Sequence, residues 1–273
     1  MHVNADKSEG RPTGEGSLTP WSSSPAARGL VGLARRVARV ISARGVLYLT
    51  ALIGIVLVAI LSEAGGEVYE AVTEQDGVAQ LDQPALDTAL RWRSPALNQG
   101  VTIFTHLGGP LGMTIIASAI TALMVWRWRA RTPLVLMLIA VAGSLLLTTL
   151  GKTNFGRTRP PTSEAVPPFE TTPSFPSGHA LNSTVIAGVV AYLVIRQLER
   201  RLTRLLAIGI AVIWAVAIGL SRVFLGHHWL TDVMFGWLVG LAWLTVVIVA
   251  HRLYLSVRAE RRSASSGPGS TSG

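Results

Sequence analysis

Cysteine is missing from all 273 residues, so disulfides, thiolate nucleophiles and Cys-ligated zinc or iron–sulfur centres are excluded. Charge is scarce: Asp, Glu, Lys and Arg make up 14% of the chain, where a soluble domain carries roughly 25%. Acids are the scarcer sign, 15 against 24 Lys and Arg, for a net charge of +9. In a soluble protein that excess would point to nucleic acid. Here the basic residues lie beside long apolar runs, which marks membrane topology, so a bilayer and no nucleic-acid partner is expected. What the chain does have is apolar surface: 49% of residues are hydrophobic and the mean hydropathy is +0.45. That composition describes a polytopic membrane protein.

Six apolar segments, near 46–62, 101–126, 133–150, 179–195, 205–220 and 231–250, approach the ~20 residues that cross the hydrocarbon core. The expected fold is all-α, a bundle of six transmembrane helices occupying 46–255. Residues 1–27, rich in Ser, Gly and Pro, read as a disordered cytoplasmic tail, and 256–273 as a second one. Between tail and bundle, 28–45 carries Arg28, Arg35, Arg36, Arg39 and Arg44 among aliphatic residues, the pattern of a basic amphipathic segment lying on an anionic membrane face. A signal peptide with its apolar core at 46–61 is the rival reading. Its basic lead would be too long, and the chain beyond residue 61 does not have the composition of a soluble protein.

The connections differ in charge. Arg127, Arg129 and Arg131 come after the second span, Arg196, Arg200, Arg201 and Arg204 after the fourth, and Arg252, Arg258, Arg261 and Arg262 after the sixth. The 63–100 connection instead holds Glu63, Glu67, Glu70, Glu74, Asp76, Asp82 and Asp87 against Arg91 and Arg93. The positive-inside rule places both termini in the cytoplasm and 63–100, 151–178 and 221–230 outside. Lys152, Arg157, Arg159 and Arg222 break that rule, and their gathering in two outward loops suggests an anion site.

The stretch 219–236, GLSRVFLGHHWLTDVMFG, packs Arg222, His227, His228 and Asp232 into a junction between two spans. A helix starting near His228 brings Asp232 one turn along on the same face, where a carboxylate fixes the imidazole tautomer and supports a nucleophilic histidine. Lys152, Arg157 and Arg159 offer donors to a doubly charged phosphate. Ser177 and Gly178 open the fourth span, where free N–H groups attract phosphate oxygens and Gly178 permits close approach. His179 is placed to give a proton to a leaving oxygen. These loops hold no carboxylate cluster suited to two metals, so neither a metal nor another cofactor is expected.

Three motifs resemble those of the type-2 phosphatidic acid phosphatase superfamily, which includes lipid phosphate phosphatases, class A acid phosphatases and vanadium haloperoxidases. They are K-x6-RP at Lys152 to Pro160, PSGH at Pro176 to His179, and SR-x5-H-x3-D at Ser221, Arg222, His228 and Asp232. The resemblance covers roughly residues 100–250. It implies that His228 becomes phosphorylated, that Asp232 supports it and that His179 is the general acid. It also assigns Lys152, Arg159, Ser177, Gly178 and Arg222 to phosphate binding. The implied substrate is a membrane lipid phosphate or pyrophosphate, of the phosphatidic acid or undecaprenyl pyrophosphate type, hydrolysed at the outer membrane face. A phosphotransferase using the same chemistry, a vanadate-dependent haloperoxidase and an inactive binding or transport module are the alternatives. Arg157 and His227 occupy variable motif positions and read as loop or supporting residues. His106 reads as a buried or interfacial histidine in the second span, His251 as interfacial, and Trp126, Trp128 and Trp229 as interfacial anchors. Gly209, Ala211, Ala215, Ala217 and Gly219 suit close helix packing.

Overall fold

The computed structural model describes residues 43–265. The expected tail 1–27, nearly all of the basic segment 28–45, and residues 266–273 fall outside that range. The chain divides into two compact units, and of the first, Met1–Val46, only the start of one helix is described. The second, Leu47–Gly273, holds the bundle and the site.

Among the described residues no strand occurs. The α-helices are α1 (Ala43–Glu74), α2 (Asp82–Trp92), α3 (Pro95–Leu107), α4 (Pro110–Trp128), α5 (Thr132–Phe155), α6 (Gly178–Ile195), α7 (Arg201–Phe224) and α8 (Leu230–Ser265), with short 3-10 turns at Gly77–Leu81 and Thr162–Glu164. Six of them, α1, α4, α5, α6, α7 and α8, are long and apolar enough to cross a membrane.

The segment boundaries move for identifiable reasons. α1 continues past the expected stop at residue 62 because Glu63, Glu67, Glu70 and Glu74 recur at helical spacing, forming one exposed stripe while Val68, Ala71 and Val72 are buried opposite it. The second span, expected over 101–126, breaks at Gly108–Gly109 and restarts with Pro110, which at the first helical position gives up no hydrogen bond. α5 extends beyond its apolar core to Phe155, and α7 runs from Arg201 to Phe224. α8 runs on to Ser265, so the first ten residues of the expected tail 256–273 remain helical.

α6 is the hub. Its spanning window is 56% buried, against 6% for α1, and it packs on α5, α7 and α8. Leu181, Val185 and Val189 of α6 meet Met113 and Ala117 of α4, Leu136 and Ala140 of α5, and Val247 of α8. Gly236 and Gly240 of α8, four residues apart, allow α8 to lie against the first turns of α6. A Cβ would stand 2.8 Å from the Ser177 carbonyl oxygen at the first position and 3.0 Å from that of Leu181 at the second. In α7, Ala215 is buried and Gly219 fits under Trp237 and Val233, as expected. Gly209 has open space around it and takes no part in close packing.

The crossing at Gly236 positions the site, because it sets the start of α6 against the start of α8. Gly236→Ala inserts a methyl against backbone that cannot move aside as a side chain would. Its expected cost is about 1–3 kcal/mol of overpacking, read as a lowered melting temperature in detergent, with loss of activity at the melting onset.

Candidate active site

Four helix ends meet at one end of the bundle: the last turn of α5 with Lys152, the first of α6 with Ser177 to His179, the last of α7 with Arg222, and the first of α8 with Asp232. The loop over 156–177 is stitched to the turn between α7 and α8. Val166 N–H donates to the Leu225 carbonyl (2.9 Å), Ser177 N–H to the Asp232 carbonyl (3.0 Å), and His227 Nε2 meets the Val166 carbonyl at 2.6 Å. Gly226 makes the turn possible. Its φ of +71° favours glycine, and a Cβ there would lie 2.5 Å from the Glu164 carbonyl oxygen. Arg93 ties the two together by donating to the carbonyls of Phe224 and Glu164. Phe175, flanked by Phe155 and Phe235, anchors the far end of the loop in the bundle.

Asp232 is fully buried and collects four donors. Arg157 donates to Oδ1 (2.6 Å), while Oδ2 receives Ser174 Oγ–H, the Trp229 N–H (2.9 Å) and His228 Nδ1 (3.3 Å). The other ring nitrogen, His228 Nε2, lies 3.3 Å from the Arg159 guanidinium. A guanidinium only donates, so Nε2 is the acceptor and the proton sits on Nδ1, facing Asp232. Burial lowers the His228 pKa to about 4, with Asp232 opposing the shift and Arg159 and Arg222 adding to it. At neutral pH the imidazole is therefore unprotonated at Nε2, whose lone pair faces Arg159. α8 starts at Leu230 rather than at His228, and the pair is still one helical turn apart.

Behind this pair stands a residue that sequence reading counted only as topology. Asp82, at the start of α2, is buried. It accepts the Thr231 N–H (2.8 Å), the Thr231 hydroxyl (2.7 Å) and Arg157 (2.7 Å). It thus satisfies one of the N–H groups that the first turn of α8 leaves unpaired. Arg157 bridges Asp82 and Asp232 and lies over the Trp229 ring at 5.7 Å. Its place is behind the carboxylate, which decides between the direct and supporting roles that the sequence left open. Trp229 donates to the Thr158 carbonyl (3.0 Å) and belongs to this scaffold rather than serving as a plain interfacial anchor.

In front of His228 lies a cationic pocket. Arg159 donates to the carbonyls of Thr172 (2.8 Å) and His227, Lys152 to the Thr172 hydroxyl (3.2 Å), and Arg222 to the Thr105 hydroxyl (3.4 Å). Glu170 sits between the arginines, 2.7 Å from Arg159 and hydrogen-bonded to Arg222. Burial alone would raise this carboxyl, but Arg222 and Arg159 overcome it and hold the pKa at about 2.

Ser177 caps α6: its hydroxyl accepts the Ala180 N–H at 3.5 Å and its own N–H is bound to Asp232. The expected backbone donor at Ser177 is therefore committed, and Gly178 and His179 carry the first-turn N–H groups without a recorded partner among the described residues. His179 Nε2 faces Gly109 at the α3–α4 break, 3.3 Å from where a Cβ would be. His227, its pKa lowered to about 4 by burial and by Arg222, is a loop tie. His106 is exposed rather than buried, and His251 is buried, meeting Tyr192 (2.9 Å) and Arg196 (3.2 Å) at the opposite end of the bundle.

The structure thus brings Lys152, Arg159, Ser177, Gly178, His179, Arg222, His228 and Asp232 to one place. Sequence reading missed Asp82, Glu170 and Ser174. Glu170 carries one signal, as an acid in a loop rich in cations, while Asp82 and Ser174 carry none that sets them apart.

This arrangement of a buried His–Asp pair facing a cationic pocket, at the end of a helical bundle, fits a multi-pass membrane phosphatase. The model of the PAP2 superfamily matches residues 133–254. Over 176 residues the chain is 32% identical to phosphatidylglycerophosphatase B of Bacillus subtilis (strain 168), covering 64% of this chain and 85% of that protein. The crystal structure of a transmembrane PAP2-type phosphatidylglycerolphosphate phosphatase from Bacillus subtilis superimposes with a TM-score of 0.58 at 28% identity, over 74% of this chain and 93% of that one. LpxE from Aquifex aeolicus is similar in fold, with a TM-score of 0.50 at 23% identity over 62% and 94%. The chain belongs to the PAP2 superfamily.

The geometry leads to two expected outcomes. Asp82→Asn removes a charge from behind Arg157 and should lower kcat roughly 10–100-fold, as loss of supporting hydrogen bonds does in comparable sites, with little change in KM. Restoration of kcat by Asp82→Glu would mark the charge as the cause. Protonation of Nε2 removes the lone pair, so activity should be retained down to about pH 4, the value for His228, and lost below it. A kcat/KM profile corrected for ionisation of the substrate phosphate near pH ~6 should place the acid limb well below the ordinary histidine value.

Proposed function

We propose that this chain hydrolyses a membrane lipid phosphate monoester or pyrophosphate through a phosphohistidine at His228, on the outer face of the membrane. The observation that carries the reading is the orientation of His228, with Nδ1 toward Asp232 and Nε2 toward Arg159 in the cationic pocket. In the first step Nε2 attacks phosphorus in line, the bond to the leaving oxygen breaks, and His179 supplies the proton that oxygen needs. Lys152, Arg159, Arg222 and the N–H groups of Gly178 and His179 stabilise charge on the equatorial oxygens. In the second step water attacks phosphorus, His179 takes its proton and the P–N bond breaks to release inorganic phosphate. The three cationic side chains supply the positive charge a metal provides elsewhere, so the reaction is proposed to run without one.

The outward face is supported by the basic runs at the opposite end, where Arg127 and Arg196 line a shared cavity of about 380 Å³. The names of the Bacillus subtilis relatives make phosphatidylglycerophosphate the first substrate to test, beside phosphatidic acid and undecaprenyl pyrophosphate. Purified protein in detergent with EDTA should release inorganic phosphate from at least one of these lipids with no added acceptor. His228→Ala should lower that rate by several orders of magnitude while the protein remains folded. Release that needs an acceptor would make the chain a phosphotransferase, and full activity in His228→Ala would remove the nucleophile assignment.

A further inference from the structure

Glu170 has no place in the steps above, yet it pairs with two of the arginines those steps assign to phosphate. Its two oxygens hold Arg159 and Arg222 where a phosphate group would have to bind. Arg222 is buried, so without an anion it would be an uncompensated charge at the end of a membrane helix. Its Nε is also buried and has no partner among the described residues, and a carboxylate brings only two oxygens to the cluster. A phosphate group brings three.

We infer that Glu170 is the resident counter-ion of the empty pocket, displaced by the phosphate group of the substrate, and that this exchange reserves the pocket for doubly charged phosphate. The inference rests on the phosphatase reading of the same site. With His179 neutral, four cations, Lys152, Arg157, Arg159 and Arg222, face three carboxylates, Asp82, Glu170 and Asp232, which leaves one positive charge in the resting cluster. Replacing Glu170 by a dianionic monoester or terminal pyrophosphate neutralises it. A monoanionic phosphodiester, the headgroup of bulk membrane lipid, only exchanges one negative charge for another. It gains nothing in net charge and must still displace a tethered group of high effective concentration. Diester lipids therefore leave the pocket free at membrane concentrations, and monoesters enter. Thr172 and Pro173 of the same segment accept from Lys152 and Arg159, so that segment contacts three of the pocket's cations in all.

The test is Glu170→Gln, which keeps the shape and removes the charge, read by calorimetric binding of inorganic phosphate and by inhibition of turnover by phosphatidylglycerol in mixed micelles. A carboxylate seated 90% of the time weakens apparent binding about tenfold. The variant should therefore bind phosphate at least about tenfold more tightly, and phosphatidylglycerol should begin to inhibit. Without ligand it should melt at a lower temperature than wild type, and phosphate should raise that temperature by more. Glu170→Asp, which keeps the charge on a shorter arm, should fall between the two and serves where the Gln variant does not fold. Unchanged or weaker phosphate binding in these variants would overturn the inference, as would tighter binding with phosphatidylglycerol still inert. Wild-type protein that binds phosphate but releases none from any lipid phosphate would instead count against the phosphatase reading.

Discussion

The Asp232 carboxylate is what the site depends on. A charge this deeply buried would cost several kcal/mol without partners, and its four donors come from two separate segments of the chain. Arg157 and Ser174 come from the loop before α6, Trp229 N–H and His228 from the turn before α8. Its backbone carbonyl takes a fifth, Ser177 N–H, from the start of α6. Satisfying this one residue orders both loops and fixes the tautomer of His228. Asp82 extends the arrangement to α2, by holding the far side of Arg157 and the first turn of α8.

The membrane explains why these charges gather where they do. In hydrocarbon every backbone group must be paired within the helix, which leaves helix ends as the places where N–H groups and irregular backbone can serve chemistry. Four helix ends meet here, and the apolar bodies behind them only have to pack. Small residues make that packing close at the points that matter, with Gly236 and Gly240 setting α8 against α6. The aromatic group around Phe175 does for the loop what the glycines do for the helices, burying its end so that Ser174 and Ser177 are held in register.

Electrostatics then separates two layers. Behind His228, Asp82, Arg157 and Asp232 alternate in sign and are closed to further partners. In front, Lys152, Arg159 and Arg222 face the single carboxylate of Glu170, which is partly exposed and carried by a loop. A buried alternating chain is rigid because removing any member strands its neighbour. A pocket closed by one tethered anion can open when a better anion arrives.

Much of this was legible in the residues themselves. Apolar run length and the clustering of arginine gave the six-helix bundle, because the thickness of a bilayer and the cost of burying charge act on composition alone. The His228–Asp232 spacing already implied their contact, because one helical turn is a local distance. The glutamates at 63, 67, 70 and 74 were read as a loop although their spacing is helical, and the second span was drawn through Gly108–Gly109–Pro110, where local chemistry favours a break. What no local rule reaches is the partnership of residues far apart in the chain. Asp82 lies 149 positions from Thr231, and Glu170 lies 52 from Arg222. Sequence by itself determined the class of protein, the membrane, and the pairing of His228 with Asp232. Tertiary structure alone decided which acid stands behind Arg157 and which one fills the phosphate pocket, since buried charges choose partners by proximity in space.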